Sequence, residues 1–233
     1  MTLLRLAAIL GWFNCEAQTS AGDTNTGAIM VLGYHVIFSA YGFWLPNDPR
    51  GSWSEFVGAW DLFRTGGKAT KTTETHSLAK NPHDRQQRLQ TKAALLREPV
   101  KFTGIQARAV GRGFGAFVAK SGLKIWACAI LPDHVHLVVG RFRYEIEKVV
   151  IALKGAATAR LIEENIHPFR DLPPEKGLPP KCFVRGEWKV YLDSVDDVNR
   201  AIRYAENNPV KEGLRPQKWP FVVAPLTEDF IAS

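Results

Sequence analysis

Cysteine is scarce in this chain. Only three cysteines occur among the 233 residues, and no two of Cys15, Cys128 and Cys182 form a CxxC pair. Sparse and widely spaced cysteines disfavour both a disulfide framework and a cysteine-rich zinc site. The composition therefore fits a protein of a reducing compartment, and we expect the chain to be cytoplasmic.

A long apolar segment is also missing from the N-terminal region. The run from Leu6 to Phe13 is too short to span a bilayer, and we expect no membrane association. It follows a single positive charge, Arg5, and precedes no clean small-residue cleavage site, so it makes a poor signal peptide. We interpret residues 1–29 as a disordered leader or an over-extended gene start, with the true start at Met30.

Acidic residues are rare in one part of the chain, although the chain as a whole has a net charge of +7. Between Arg85 and Lys124 the single acid Glu98 accompanies nine basic residues, so this window carries +8 and the rest sums to −1. A localised charge of this kind is typical of a surface that contacts nucleic acid, with Arg108 and Arg112 as candidate phosphate contacts. A solvated helix face is the alternative.

Hydrophobic patterning predicts one domain over residues 30–226 and a tail at 227–233. Strands are predicted where β-branched and aromatic residues run together, and helices where apolar residues recur every three or four positions. The predicted elements are a strand from Val31, helices at 85–98 and 101–120, strands at 124–131 and 134–140, a helix at 145–164, a strand at Trp188–Leu192 and a helix after Ser194. The two central strands can pair as a hairpin, which favours an α+β sandwich over a parallel doubly wound sheet.

His134 and His136 are two positions apart in the predicted strand HVHLVVG. Strand side chains alternate between faces, so both imidazoles are expected on one side, with Val135 and Leu137 on the other. Two neutral imidazoles spaced about 7 Å along a strand can converge on one divalent ion. The spacing alone is not specific, because two half-buried histidines satisfied by hydrogen bonds would give the same pattern.

A helix start is predicted at Ser194, in the segment SVDDVNRAIRYAENNPV. The Ser194 hydroxyl can cap the helix, and Asp197 three residues later completes a pattern similar to a capping box. Apolar residues at three- and four-residue intervals predict the buried face: Val195, Val198, Ile202 and Ala205.

Tyr204 and Asn208 lie on one side of this helix, one turn apart. At 100° per residue Tyr204 is about 180° from Val195, so both side chains are expected to point away from the buried face. Pro209 is expected to end the helix, because the residue before a proline avoids the α region. A tyrosine in this position can face a cleft, although an ordinary surface tyrosine fits the same pattern.

Three motifs occur in one order over about residues 33–221: the loop WLPNDPRG after the first strand, LPDHVHLVV, and YAENNPVKEGL followed by KWPF. Together they resemble the single-tyrosine HUH transposases, which include the REP-associated tyrosine transposases. The resemblance implies a ferredoxin-like α+β sandwich, with an antiparallel central sheet and helices on one face, that usually forms a homodimer. The loop departs from the family at Asn47, where glycine is more usual, and we assign it no role.

The resemblance also implies a function. Members of the family bind single-stranded or hairpin DNA, and their tyrosine attacks a phosphodiester to leave a 5′-phosphotyrosine and a free 3′-hydroxyl. Carried over by motif, Tyr204 is the nucleophile and His134 and His136 bind Mg²⁺ or Mn²⁺. Asn208 occupies the position of the third ligand, where insertion-sequence relatives more often have glutamine.

Two lysines are candidate phosphate contacts for this chemistry. Lys154 lies on the helix after the histidine strand, and Lys211 lies beside the tyrosine helix. Solvation of a helix face is the alternative for both. For the whole chain, two rival functions stay open: a non-catalytic nucleic-acid-binding protein of the same fold, recruited by its host, and a metal-dependent hydrolase that uses the histidine pair and releases its product through water.

Overall fold

The computed structural model describes residues 31–46, 60–68 and 84–225. The expected leader at 1–29, the tail at 227–233 and Asn47 of the WLPNDPRG loop lie outside the described residues, so the domain boundaries stay predictions. The described elements are β1 (Gly33–Ser39), α1 (Trp60–Gly66), α2 (Arg85–Ala93), α3 (Gly104–Ser121), β2 (Ile125–Ile130), β3 (His134–Gly140), α4 (Ile146–Glu163), β4 (Trp188–Leu192) and α5 (Val195–Lys211).

The four strands form one sheet in the order β2-β3-β1-β4, and every neighbouring pair is antiparallel. The predicted hairpin of β2 and β3 is part of it. Strands β1 to β4 follow one another with α3 and α4 as the crossover helices, which is the β-α-β-β-α-β arrangement of a ferredoxin-like fold. The predicted α+β class and antiparallel central sheet are therefore confirmed.

The helices lie on both faces of the sheet, which corrects one detail of the expected fold. The crossover helices cover the face that carries Leu137. The main hydrophobic cluster lies between them and this face, and its buried members include Val36, Phe38, Phe114 and Leu153. Val138, the next residue of β3, points to the other face. That face is also apolar, so another element must bury it. α5 supplies it, and the second cluster contains Trp126, Leu192, Val198, Ala201 and Ala205.

α5 begins as predicted but ends later than predicted. The Ser194 hydroxyl accepts a hydrogen bond from the Asp197 N–H at 3.1 Å. The helix continues through Pro209 to Lys211, so the prediction that Pro209 ends it is wrong. A proline deletes only one helical N–H. The last turn of α5 still forms after Pro209, because the Glu212 N–H donates to the Asn208 carbonyl at 3.1 Å.

α3 runs unbroken through three interior glycines, Gly111, Gly113 and Gly115, although glycine is a poor helix former. A Cβ at Gly113 would lie 2.6 Å from the carbonyl oxygen of Ala156 and 2.7 Å from the Cα of Ala157. A Cβ at Gly111 would lie 2.2 Å from the Trp219 ring. The glycines therefore allow α3 to pack closely against the backbone of α4 and against the segment that follows α5. No helix in the described part of the chain is long and apolar enough to cross a membrane.

Gly113→Ala should destabilise the fold by about 1–3 kcal/mol, because the new methyl group meets backbone atoms that cannot rotate away. Gly155→Ala is the matched control, since Gly155 lies inside α4 and has open space around its Cβ position. It should be neutral or stabilise the chain by up to about 1 kcal/mol through helix propensity. Urea denaturation measures both. Equal free energies of unfolding for the two variants would contradict the close contact of α3 with α4.

Candidate active site

The two histidines of β3 converge on one point. His134 pairs with Ser39 and His136 with Ile37 of β1, so both imidazoles leave the same face of the sheet, as predicted. Their Nε2 atoms lie 3.1 Å apart. Two nitrogens that bind one ion at right angles, each at about 2.1 Å, are separated by about 3 Å. The donor pair therefore fits a single divalent ion.

The outer nitrogen of each imidazole has its own partner. The Nδ1 of His134 lies 2.8 Å from an Asp133 carboxylate oxygen, and the Nδ1 of His136 lies 3.1 Å from the Nε2 of His35. The Phe43 ring stacks on His134 with a centroid distance of 4.8 Å. Partners of this kind fix the tautomer and the ring orientation of metal-binding histidines.

His35 is the residue of this site that the sequence analysis missed. It lies on β1 opposite Val138, on the same face as the two histidines of β3. Burial lowers the pKa of His35 to about 4 and, together with the neighbouring His134, His35 and Lys211, lowers the pKa of His136 well below its usual value. Both rings are therefore neutral at pH 7, the form that a metal ion requires. The sequence does show His35 in a predicted strand rich in β-branched residues. Only the pairing of β1 with β3, however, brings it to the histidine pair.

Tyr204 lies over the same group of rings. Its ring centroid is 5.6 Å from those of His136 and His35, and both contacts are edge-to-face. The side chain is 46% exposed. The Nζ of Lys211 lies 4.7 Å from the centroid of the Tyr204 ring. The phenol is thus beside the histidine pair, accessible to solvent, and next to a positive charge.

Asn208 is buried, at 8% exposure, so the prediction that it points away from the buried face is wrong. The helix rests on the sheet through Ala201 and Ala205, and the buried face is therefore centred further round the helix than Val195 suggested. The Asn208 Nδ2 donates to the Tyr204 carbonyl at 3.1 Å. Its role as a third metal ligand stays a prediction.

The protein donors for an ion are few. Within the described residues, no group of three or more His, Cys, Asp and Glu side chains is arranged to hold a metal. An ion held by His134 and His136 would complete its coordination with oxygens from an amide, from water or from a phosphate. Such a site leaves positions open for a substrate.

Comparison with known proteins finds distant similarity. No protein-family model and no curated protein matches the chain. A solved structure of a REP-associated tyrosine transposase bound to a REP hairpin is 12% identical, with a TM-score of 0.42 over 86% of this chain and 81% of that chain. A candidate transposase from Deinococcus radiodurans R1 is 15% identical, with a TM-score of 0.35 over 80% of this chain and 97% of that chain.

The basic window does not form one surface beside Tyr204. Arg108 and Arg112 belong to α3, which covers the opposite face of the sheet. The Nε of Arg112 donates to a Glu164 carboxylate oxygen at 2.8 Å. This hydrogen bond and the opposite charge raise the pKa of Arg112 and lower the pKa of Glu164. Of the four candidate phosphate contacts, Lys211 is the one that the structure places at the tyrosine.

Lys154 also lies away from Tyr204. Its ammonium donates to the carbonyls of Val184 at 3.0 Å and Gly186 at 2.6 Å, and it lies 4.9 Å above the Phe38 ring, on the face covered by α3 and α4. Burial lowers the pKa of Lys154 to about 8, with Glu187 acting in the opposite direction. These contacts join α4 to the segment before β4, and a role for Lys154 as a phosphate contact stays a prediction.

Lys154→Met should change how stability depends on pH. The folded chain releases the Lys154 proton near pH 8, whereas an unfolded lysine retains it to about pH 10.5. Between these values the unfolded state binds more protons, so the Lys154 contribution to the free energy of unfolding rises with pH. Urea denaturation across this window should show wild type gaining stability relative to Lys154→Met. Parallel curves would mean that the ammonium is solvated, as a phosphate contact would be.

Proposed function

We propose that this protein is a transposase that cuts and rejoins single-stranded DNA through Tyr204, with a divalent ion held by His134 and His136. One observation carries the proposal. The Tyr204 ring, half exposed, lies 5.6 Å from the ring of His136, whose Nε2 is 3.1 Å from the Nε2 of His134. A nucleophile and a donor pair for a metal therefore share one accessible site.

The proposed step is a transesterification. The Tyr204 oxygen attacks the scissile phosphorus, and the bond from phosphorus to the 3′ oxygen breaks. The products are a 5′-phosphotyrosine and a free 3′-hydroxyl, and the proton of the phenol passes to water at this exposed position. A bound Mg²⁺ or Mn²⁺ would polarise the phosphate and offset the charge that develops in the transition state.

The same chemistry explains how strands could be rejoined. The phosphotyrosine conserves the phosphodiester bond as an ester of the protein, so a 3′-hydroxyl from another strand can attack it without ATP. Tyr204 is then released unchanged. Its place on the last turns of α5, packed on the sheet through Ala205, holds the phenol at the histidine pair in both steps.

Lys211 is the proposed phosphate contact closest to the reaction. Its ammonium lies 4.7 Å from the Tyr204 ring centroid, and the residue is exposed. A cation at this distance can neutralise a backbone phosphate while the phenol attacks it. Asn208 remains the proposed third ligand, and a homodimer remains the proposed assembly.

Tyr204→Phe should abolish both cutting and strand transfer while leaving the fold and DNA affinity nearly unchanged. Phenylalanine preserves the ring contacts with His35 and His136 and removes only the attacking oxygen. The assay uses a hairpin-bearing oligonucleotide labelled on the 3′ side of the cut, with Mn²⁺, on a denaturing gel. Wild type should give a slow-moving adduct that protease removes. Tyr144→Phe is the matched control, because Tyr144 is exposed and packs against Phe142 instead.

The same gel separates the rival functions. Cleavage by wild type without any adduct would favour the metal-dependent hydrolase. Absence of cleavage on this gel, with binding of the oligonucleotide shown separately by fluorescence anisotropy, would favour a non-catalytic nucleic-acid-binding protein. An adduct that persists in Tyr204→Phe would assign the nucleophile to another residue.

Lys211→Ala should weaken binding of single-stranded DNA and flatten its salt dependence. Losing one phosphate contact should reduce the slope of log affinity against log salt by about 0.7. Arg108→Ala removes an exposed charge on the opposite face of the sheet and should leave the slope unchanged. Fluorescence anisotropy measures both, with Tyr204→Phe in each protein to prevent cleavage. A lower slope for Arg108→Ala and an unchanged slope for Lys211→Ala would instead assign the DNA contact to the basic window between Arg85 and Lys124.

A further inference from the structure

Four side chains form a continuous chain at the site: Asp133, His134, His136 and His35. The two inner members are the proposed metal ligands, and Asp133 holds the first of them. We propose that His35 is a positioning residue that accepts a hydrogen bond from the Nδ1–H of His136 and so presents the Nε2 of His136 to the ion. This inference rests on the proposed function and extends it to β1.

The assignment follows from the protons of neutral imidazole. A neutral ring carries one proton, so a His136 that binds an ion through Nε2 must carry its proton on Nδ1. That Nδ1 is 3.1 Å from the Nε2 of His35. The Nε2 of His35 must then be unprotonated and accept, with the His35 proton on Nδ1. His35 does for His136 what the Asp133 carboxylate does for His134.

His35 is held firmly enough for this role. β1 is a central strand, and His35 is paired across the sheet with Val138 on one side and Val190 on the other. Its ring lies nearly parallel to that of His136, with an interplanar angle of 24° and a centroid distance of 5.4 Å, which suits a hydrogen bond between the ring edges. The same ring makes an edge-to-face contact with the ring of Tyr204. One side chain of β1 therefore touches a proposed ligand and the proposed nucleophile.

The experiment measures Mn²⁺ affinity by electron paramagnetic resonance, without DNA. His35→Phe retains a ring of similar size and removes the acceptor, so the dissociation constant for Mn²⁺ should rise by about 10- to 100-fold. His35→Gln places an amide oxygen near the lost nitrogen and should restore affinity close to that of wild type. Tyr34→Phe is the control on the neighbouring position of β1, and His136→Ala gives the affinity of a broken site. Circular dichroism checks that each variant is folded.

Nitrogen NMR of the wild-type imidazoles gives a second measurement that needs no variant. With Zn²⁺ as a diamagnetic probe, the Nδ1 of His136 should be protonated and the Nε2 of His35 should not. A protonated Nε2 on His35, or wild-type Mn²⁺ affinity in folded His35→Phe, would overturn the role of His35. Failure of wild type to bind either ion would instead count against the proposed metal site itself.

Discussion

The antiparallel pairing of β1 with β3 is the interaction on which the site depends. Its register sets His136 opposite Ile37 and His35 opposite Val138, which places three imidazoles on one face. A slip of one residue would turn every side chain of a strand to the other face and separate His35 from the pair. The register is held because Val36, Phe38 and Leu137 are buried on the opposite face, where polar side chains would be costly.

The two faces of the sheet have different roles: one forms the main core and the other carries the candidate site. One face is an apolar core covered by the crossover helices, and Lys154 is held there by the carbonyls of Val184 and Gly186. The other face is covered by α5, whose buried Ala201 and Ala205 let the helix lie close to the strands. Small residues at this contact bring the ring of Tyr204 within reach of His136. A bulky side chain there would lift the phenol away from the imidazoles.

Several elements followed from local sequence, and the deviations have physical causes. The Ser194 cap was predictable because capping needs only a hydroxyl and a free N–H three residues later. Val198 and Ala205 of α5 are buried as predicted, but the buried face also includes Ala201 and Asn208 and is centred further from Val195 than hydrophobicity indicated. The end at Pro209 was misplaced because the next turn compensates for one missing N–H. The partners of Arg112 and Lys154 could not be predicted, because long side chains bond to residues of other elements.

By itself the sequence determined the α+β class, the β2–β3 hairpin, the common face of His134 and His136, and the one-turn spacing of Tyr204 and Asn208. These features depend on periodicities of two and 3.6 residues, which are local. Only the tertiary structure decided that His35 joins the histidine pair, that Lys211 rather than Arg108 lies at the tyrosine, and that α5 covers the second face. Those facts depend on which strands pair and in what register, and contacts between residues about 100 positions apart leave no periodic trace in the chain.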